Sequence, residues 1–187
     1  LAGLMGIGGG IVIIPALITV FELLGYPQAW IMHMAVGTSL AIIVATSISS
    51  VRAHHKRGSV DFAVMKRWWV WIAVGAIGGA FFAKGLKTDE MIYVFVVLIA
   101  LLALKMLLPL EKYKWGEAVP KGLLGIVPPG VIGFFSSIMG IGGGSFAVPY
   151  FTLYSMPIHR AVGTAALGGM VISVAGVAGF IIAGLGI

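Results

Sequence analysis

Long apolar segments alternate with short polar stretches along the whole chain. Segments of about 18 or more apolar residues have the length of a helix that crosses a lipid bilayer. The pattern therefore predicts an all-α fold, a polytopic bundle of transmembrane helices. The predicted spans cover about residues 1–24, 30–51, 68–86, 91–108, 122–154 and 161–183.

Two short motifs each occur twice. Gly-Ile-Gly-Gly-Gly occupies residues 6–10 and again residues 140–144, and Ala-Val-Gly-Thr follows each copy, at residues 35–38 and 161–164. Matching motifs in the same order indicate a duplicated chain. Three consecutive glycines do not suit an ordinary helix, since each costs about 1 kcal/mol relative to alanine in a helix interior. We therefore predict a broken helix at each copy, and two helical pieces with an unwound middle across residues 122–154.

The duplication predicts the organisation of the chain. Residues 1–110 form the first four-span repeat, residues 111–121 a cytoplasmic linker, and residues 122–187 the first two spans of the second repeat. On this count the first repeat is truncated at its start and the second at its end. Counting the broken segment as one crossing makes the two repeats parallel, whereas a re-entrant break would reverse that orientation.

Composition supports a membrane protein. Of the 187 residues, 60% are hydrophobic and only 10% are charged, compared with about 25% charged in soluble domains. The net charge of +6 is concentrated in polar loops, and the basic loop that begins at Arg52 is predicted to face the cytoplasm. These spans predict a multi-pass membrane protein, and the basic excess does not indicate nucleic-acid binding. Arg52, Lys56 and Arg57 either raise the local anion concentration or only set the orientation.

The repeated glycines are candidates for a substrate site. Unwound backbone survives at membrane depth only where it is buried in protein or lines a polar cavity. A helix that restarts after the glycines directs free N–H groups and its positive dipole end into that gap, which suits an anion. Hydroxyls just after Ala-Val-Gly would add donors. The predicted substrate-binding residues are Gly8, Gly9, Gly10, Thr38, Ser39, Gly142, Gly143, Gly144 and Thr164.

Simpler explanations exist for the same residues. Glycine clusters in membrane helices often serve close packing, and the alternative for the hydroxyls of Thr38, Ser39 and Thr164 is a hydrogen bond to their own helices. His54 and His55 have no acidic or cysteine partner at metal-ligand spacing, so a solvated charge run is expected there. We predict no metal, no cofactor and no enzymatic activity, because paired carboxylates, a nucleophile–base pair and a Walker lysine are all missing from the spans.

Longer motifs connect the chain to a known family. The pattern G-I-G-G-G-x4-P, then A-V-G-T, then the basic loop R-x4-R-G-x-V-D-F at residues 52–62, then second copies of the first two motifs, resembles the TauE/SafE family of sulfite and organosulfur exporters. The resemblance spans nearly the whole chain. It implies an inner-membrane protein of eight spans in two four-span repeats, and a substrate among sulfite, sulfoacetate and similar anions.

These observations predict a transporter that moves a small sulfur oxyanion or sulfonate across the bilayer by alternating access, with or without a coupling ion. Carboxylates are too scarce in the spans for a buried Asp or Glu proton relay, so any coupling must use another group. Two alternatives remain open: a passive anion channel, and a non-transporting membrane scaffold whose glycines serve helix packing.

Overall fold

The computed structural model describes residues 9–107, 114–120, 122 and 125–185, with the side chains of residues 105–107 excepted. This part of the chain is all helical, which confirms the predicted fold class. It contains no strand. Its elements are α1 (Gly10–Leu23), a 3₁₀ turn (Gln28–Trp30), α2 (Ile31–Lys56), α3 (Phe62–Lys84), α4 (Thr88–Leu107), α5 (Val127–Ile138), α6 (Gly144–Leu153) and α7 (Ile158–Gly184).

Helix α3 begins earlier than the apolar pattern predicts. The carboxylate of Asp61 accepts hydrogen bonds from the backbone N–H groups of Ala63 and Val64, at 3.0 and 3.1 Å. A carboxylate in this position satisfies two of the N–H groups left open at a helix start. The cap therefore sets the first residue at Phe62, six positions before the predicted span at residue 68.

Helices α3 and α5 cross at glycines. A side-chain methyl at Gly75 would collide with the backbone of Gly130, and one at Gly79 would collide with the backbone carbonyl of Phe134. Small residues four apart allow such close approach between membrane helices. Residue numbers rise together along the two helices, so α3 and α5 run in the same direction.

Helices α2 and α7 are antiparallel. Leu40, early in α2, lies against Gly176, late in α7, whereas Ser59, just past α2, lies against Gly163 near the start of α7. At the start of α7, Arg160 forms an ion pair of 2.9 Å with Asp61 at the start of α3. The starts of α3 and α7 and the end of α2 therefore meet at one end of the bundle, which we call the basic end.

The opposite end joins the start of α2 to the end of α3 and the start of α4. Thr88 Oγ1 donates a hydrogen bond of 2.7 Å to the carbonyl of Ala29, and His33 Nε2 lies 2.9 Å from the carbonyl oxygen of Ala83. Helix α1 begins beside Gly140, in the middle of the bundle, and its last residues lead through a short loop to this end.

The pair α5–α6 is re-entrant. Helix α6 begins where Gly143 lies against Ile172, halfway along α7, and its later residue Phe151 stacks on Trp68, near the start of α3, with ring centroids 4.8 Å apart. It therefore returns to the basic end, where Trp115 of the segment before α5 donates a hydrogen bond to the carbonyl of Leu153. With 12 and 10 residues, α5 and α6 are about 18 and 15 Å long, roughly half a bilayer each.

The two copies consequently have opposite orientations. Helix α1 runs from the middle of the bundle to the opposite end and α2 returns, while α6 runs from the middle to the basic end and α7 returns. Of the two orientations that the sequence left open, the structure therefore has the inverted one, in which α5–α6 is a re-entrant hairpin. Hydrophobic length alone does not distinguish a full crossing from such a hairpin.

Two helical stretches in the described chain, Gln28–Lys56 and Ile158–Gly184, are long and apolar enough to cross a bilayer. The repeat boundaries at residues 110 and 122 stay predictions, and residues 111–113 and 121 of the predicted linker lie outside the described residues.

Candidate functional site

The second Gly-Ile-Gly-Gly-Gly copy breaks the helix as predicted. Helix α5 ends at Ile138, and α6 begins at Gly144. Between them Gly140 and Gly143 adopt φ angles of 61° and 73°, a left-handed conformation that glycine adopts without steric cost. The chain thereby reverses within five residues, in the middle of the bundle.

The break leaves backbone donors unused. The carbonyl of Gly143 accepts from the N–H groups of Phe146 and Ala147, and Gly143 itself donates to Ile141. Within the described residues, the backbone N–H groups of Gly142 and Gly144 donate no hydrogen bond. Both belong to the first turn of α6 or the residues just before it, where the helix dipole is positive. The break therefore has the donors and the field of an anion site.

Two buried hydroxyls flank the same break. Ser136 and Ser137, in the last turn of α5, are completely buried, and neither Oγ atom has a hydrogen-bond partner in the described chain. Ser136 Oγ lies beside Gly143, 3.6 Å from the position of a Cβ atom there. Buried hydroxyls normally find a partner, so the break is a polar site whose hydrogen-bonding capacity the described residues leave unused.

The first copy approaches the break from the other side. Gly9 precedes α1 with a φ of 59°, and a methyl on Gly10 would collide with the carbonyl of Gly140. The N-terminus of α1 and the break before α6 are therefore in contact. Gly8, also predicted as a site residue, lies outside the described residues.

A cavity of about 260 Å³ opens on this junction. One wall is made by the glycines Gly9, Gly142 and Gly144. A second, apolar wall is made by α7, and a third by α2. The residues contributed by those two helices are Val162, Ala165, Ala166 and Gly169 from α7, and Ile43, Thr46, Ser47, Ser50 and His54 from α2.

The polar side chains on α2 form a stripe that our sequence analysis missed. Thr46, Ser50 and His54 are spaced by four residues, so they lie on one helix face and lead from the glycines toward the basic end. Thr46 Oγ1 donates to the carbonyl of Ile42, whereas the side chains of Ser50 and His54 make no hydrogen bond in the described structure. Polar residues at helical spacing in an apolar helix were the available signal.

The three predicted hydroxyl residues, Thr38, Ser39 and Thr164, are not among the residues that line this cavity. Ser39 Oγ donates a buried hydrogen bond of 2.8 Å to the carbonyl of Gly140. Thr164 Oγ1 accepts one of 2.9 Å from the N–H of Asp61. Thr38 lines a second cavity of about 650 Å³ at the opposite end, together with His33 and Lys84. Gly143 lies at the break itself. A substrate role for these residues stays a prediction.

The charged groups lie outside the cavity. Arg52, Lys56 and Arg57 are exposed around the end of α2, where His55 is exposed too and its ring meets Phe62 edge-on at 5.3 Å. In the residues that the structure describes, no three His, Asp or Glu side chains come close enough to hold a metal ion. The cavity is thus lined by backbone amides, hydroxyls, one imidazole and apolar groups.

Comparison with known proteins agrees with the motifs. Residues 1–186 match the family "Sulfite exporter TauE/SafE". A "Probable membrane transporter protein" of Haemophilus influenzae is 35% identical over 186 residues, which cover 100% of this chain and 70% of that protein. The "Probable membrane transporter protein YunE" of Bacillus subtilis is 29% identical over 181 residues, covering 86% of this chain and 66% of YunE. No solved structure matches.

A third relative comes from Methanocaldococcus jannaschii and is also described as a probable membrane transporter protein. It is 29% identical over 174 residues, which cover 87% of this chain and 60% of that protein. The chain therefore spans roughly two thirds of the length of these relatives. The family match covers nearly every residue, so the chain belongs to the TauE/SafE family and is a membrane protein.

Proposed function

We propose that the protein is a membrane transporter of small sulfur-containing anions, and that the substrate binds in the cavity beside the α5–α6 break. One observation carries the proposal: among the described residues the N–H groups of Gly142 and Gly144 find no acceptor, and both glycines line a cavity at the positive end of α6. Unsatisfied amides at membrane depth cost several kcal/mol, so a ligand that accepts their hydrogen bonds is the physical reason to retain them.

The lining favours an anion over a cation. The described residues that line the cavity include no carboxylate, and a cation would meet the positive end of a helix dipole. Gly142, Gly144, Ser50 and His54 all offer donors, so an oxyanion with several acceptor oxygens fits the site. Sulfite and sulfonates each present three such oxygens, and the family name points to the same class.

The α7 wall suits the carbon part of an organosulfonate. Val162, Ala165 and Ala166 present methyl groups opposite the glycines, and burial of apolar surface contributes about 25 cal/mol per Å². An organosulfonate would direct its oxygens to the amides and its carbon chain to α7. Sulfite, which has no carbon, would use only the amide side.

Alternating access follows from the opposed copies. The cavity extends along α2 to His54 in the last turn, so it leads toward the basic end, which we assign to the cytoplasm by its cations. Transport requires a second state in which the site opens to the opposite end. Two helical hairpins of opposite orientation, α1–α2 and α6–α7, are the units whose rocking would exchange these states.

Two other functions use the same features differently. A passive anion channel would need the amides but would conduct without exchange of one anion for another. A scaffold would use the glycines for packing only, as Gly75 and Gly79 do against α5. The unused donors at Gly142 and Gly144 favour a ligand-binding function over the scaffold.

Thermal stability in detergent tests the binding site. We expect one of sulfite, sulfate, thiosulfate, sulfoacetate or taurine to raise the melting temperature, with chloride as the control anion. A ligand at 100 times its dissociation constant stabilises the folded state by about 2.7 kcal/mol. No stabilisation by any of these anions would contradict the proposal.

Two matched serine variants test whether the anion binds in this cavity. Ser50→Ala removes a donor that lines the cavity, and we expect it to weaken binding about tenfold, since a hydrogen bond to a charged group contributes about 1.5–3 kcal/mol. Ser49→Ala is the control, because Ser49 is exposed and donates only to the carbonyl of Thr46. Equal affinity in both variants would place the anion elsewhere.

A further inference from the structure

The four histidines of the chain occupy four different environments. His33 lies near the opposite end, where Nε2 meets the carbonyl of Ala83. His55 and His159 are exposed. His54 is half-buried, and among the described residues it is the one histidine that lines the cavity beside Gly142 and Gly144. Its neighbour His55, one position away on the helix, points to a different side and provides a natural control.

His54 is also the only titratable side chain that lines this cavity within the described residues. It continues the face of Thr46 and Ser50 by one more helical turn, so it stands between the glycines and the basic end. Its ring makes no hydrogen bond in the described structure. Histidine gains and loses a proton between about pH 5 and pH 8, so the group is able to change charge inside the substrate path.

We propose that His54 binds the proton that accompanies the transported anion. The proposal rests on the function proposed above and adds the identity of the coupling ion. A proton from the solution adds to the free ring nitrogen of neutral His54 and is returned to solution on the other side, so no bond other than N–H forms or breaks. The protonated ring offsets one negative charge of the anion, and a loaded site of smaller net charge costs less to move through a bilayer.

The surrounding charges make proton and anion binding depend on each other. Arg57, on the turn after α2, is a cation three positions along the chain from His54. From α3 and α7, Asp61 and Arg160 pair with each other at 2.9 Å. His159 at the start of α7 is exposed, and so are the cations Arg52 and Lys56 on α2 itself.

No anionic side chain in this set is left unpaired to balance protonated His54, so the counter-charge has to come from the substrate. An anion in the cavity favours the protonated ring, and by linkage the protonated ring favours the anion to the same extent.

Anion affinity at two pH values tests the proposal. The probes are sulfate, thiosulfate and sulfoacetate, because their own charges do not change between about pH 5.5 and pH 7.5, the range in which histidine titrates. One coupled proton changes the dissociation constant by at most tenfold per pH unit. For the wild type we expect binding about tenfold weaker at the higher pH.

Three variants test whether His54 causes the pH dependence of anion binding. We expect His54→Gln to bind weakly at both pH values, and His54→Lys, with a fixed positive charge, to bind at both without pH dependence. His55→Gln should behave as the wild type. In proteoliposomes with a pH-sensitive dye inside, an anion gradient should drive proton movement in the wild type and in His55→Gln, and in neither His54 variant.

The outcomes separate the two proposals. If the wild type binds none of the probes, both the anion transporter and the proton role are contradicted. If it binds a probe equally at both pH values, or if His54→Gln keeps the pH response, the proton role alone is overturned. His54→Lys decides the matter if His54→Gln fails to fold, because retained proton movement in that variant would exclude His54 as the carrier.

Discussion

Ser39 and Gly140 are 101 positions apart in the chain, and the Ser39 hydroxyl donates a buried hydrogen bond of 2.8 Å to the Gly140 carbonyl. This bond ties α2 to the first residue of the break that turns left-handed. The same carbonyl lies against Gly10 at the start of α1. The three elements that meet at the proposed site are therefore joined through one carbonyl group.

Removing this hydroxyl should destabilise the protein. Ser39→Ala leaves the buried Gly140 carbonyl without a donor, and an unsatisfied buried group costs about 1–3 kcal/mol. The free energy of unfolding in detergent, measured by denaturant titration, is expected to fall by that amount. Ser49→Ala, at an exposed position on the same helix, should stay within about 0.5 kcal/mol of the wild type. Equal stability of the two variants would mean that the Ser39–Gly140 bond contributes nothing.

Two glycines on one face of α3 should respond differently to alanine. In Gly75→Ala the new methyl would collide with the backbone of Gly130, and we expect a loss of about 1–3 kcal/mol from overpacking. In Gly78→Ala the methyl would lie 3.9 Å from the Phe134 ring, so the variant should keep its stability or gain up to about 1 kcal/mol of helix propensity. The melting temperatures of the two variants test this difference. A Gly75→Ala variant as stable as Gly78→Ala would contradict the close α3–α5 crossing.

The re-entrant pair α5–α6 makes a topological prediction. The chain contains no cysteine, so single cysteines introduced at exposed positions can be labelled with a membrane-impermeant thiol reagent. His55→Cys, Lys114→Cys and His159→Cys should label from one side of the membrane, and Asp89→Cys from the other. If His159→Cys labels together with Asp89→Cys, α5–α6 crosses the whole bilayer and the copies are parallel.

The sequence was sufficient for the fold class and for the break. Apolar length predicts helices, and three glycines in a row predict that a helix ends there, because both are local properties. The position of the break between residues 138 and 144 agrees with that prediction. Direction is not a local property: hydrophobic periodicity is the same for a hairpin and for a crossing, so the orientation of the copies needed the structure.

The candidate site residues also divide into those that local sequence predicts and those whose contacts depend on distant parts of the chain. Gly142 and Gly144 were recognised because their motif is repeated. The contacts of Ser39 and Thr164 were not, since their partners lie 101 and 103 residues away. Because His54 sits among Arg52, His55 and Lys56, the sequence predicts a solvated charge run at this position. Its spacing of four from Ser50 was the signal that places it on the cavity face.

Anion counterflow in proteoliposomes tests the central claim most directly. Vesicles that contain the purified protein are loaded with an excess of an unlabelled anion that binds in the stability assay, and uptake of the labelled anion is followed over time. A transporter with a single alternating site should accumulate label transiently above its equilibrium level, and Ser50→Ala should reduce that accumulation while Ser49→Ala does not. Uptake that never exceeds equilibrium would indicate a passive channel, and uptake equal to that of protein-free vesicles would contradict the transporter altogether.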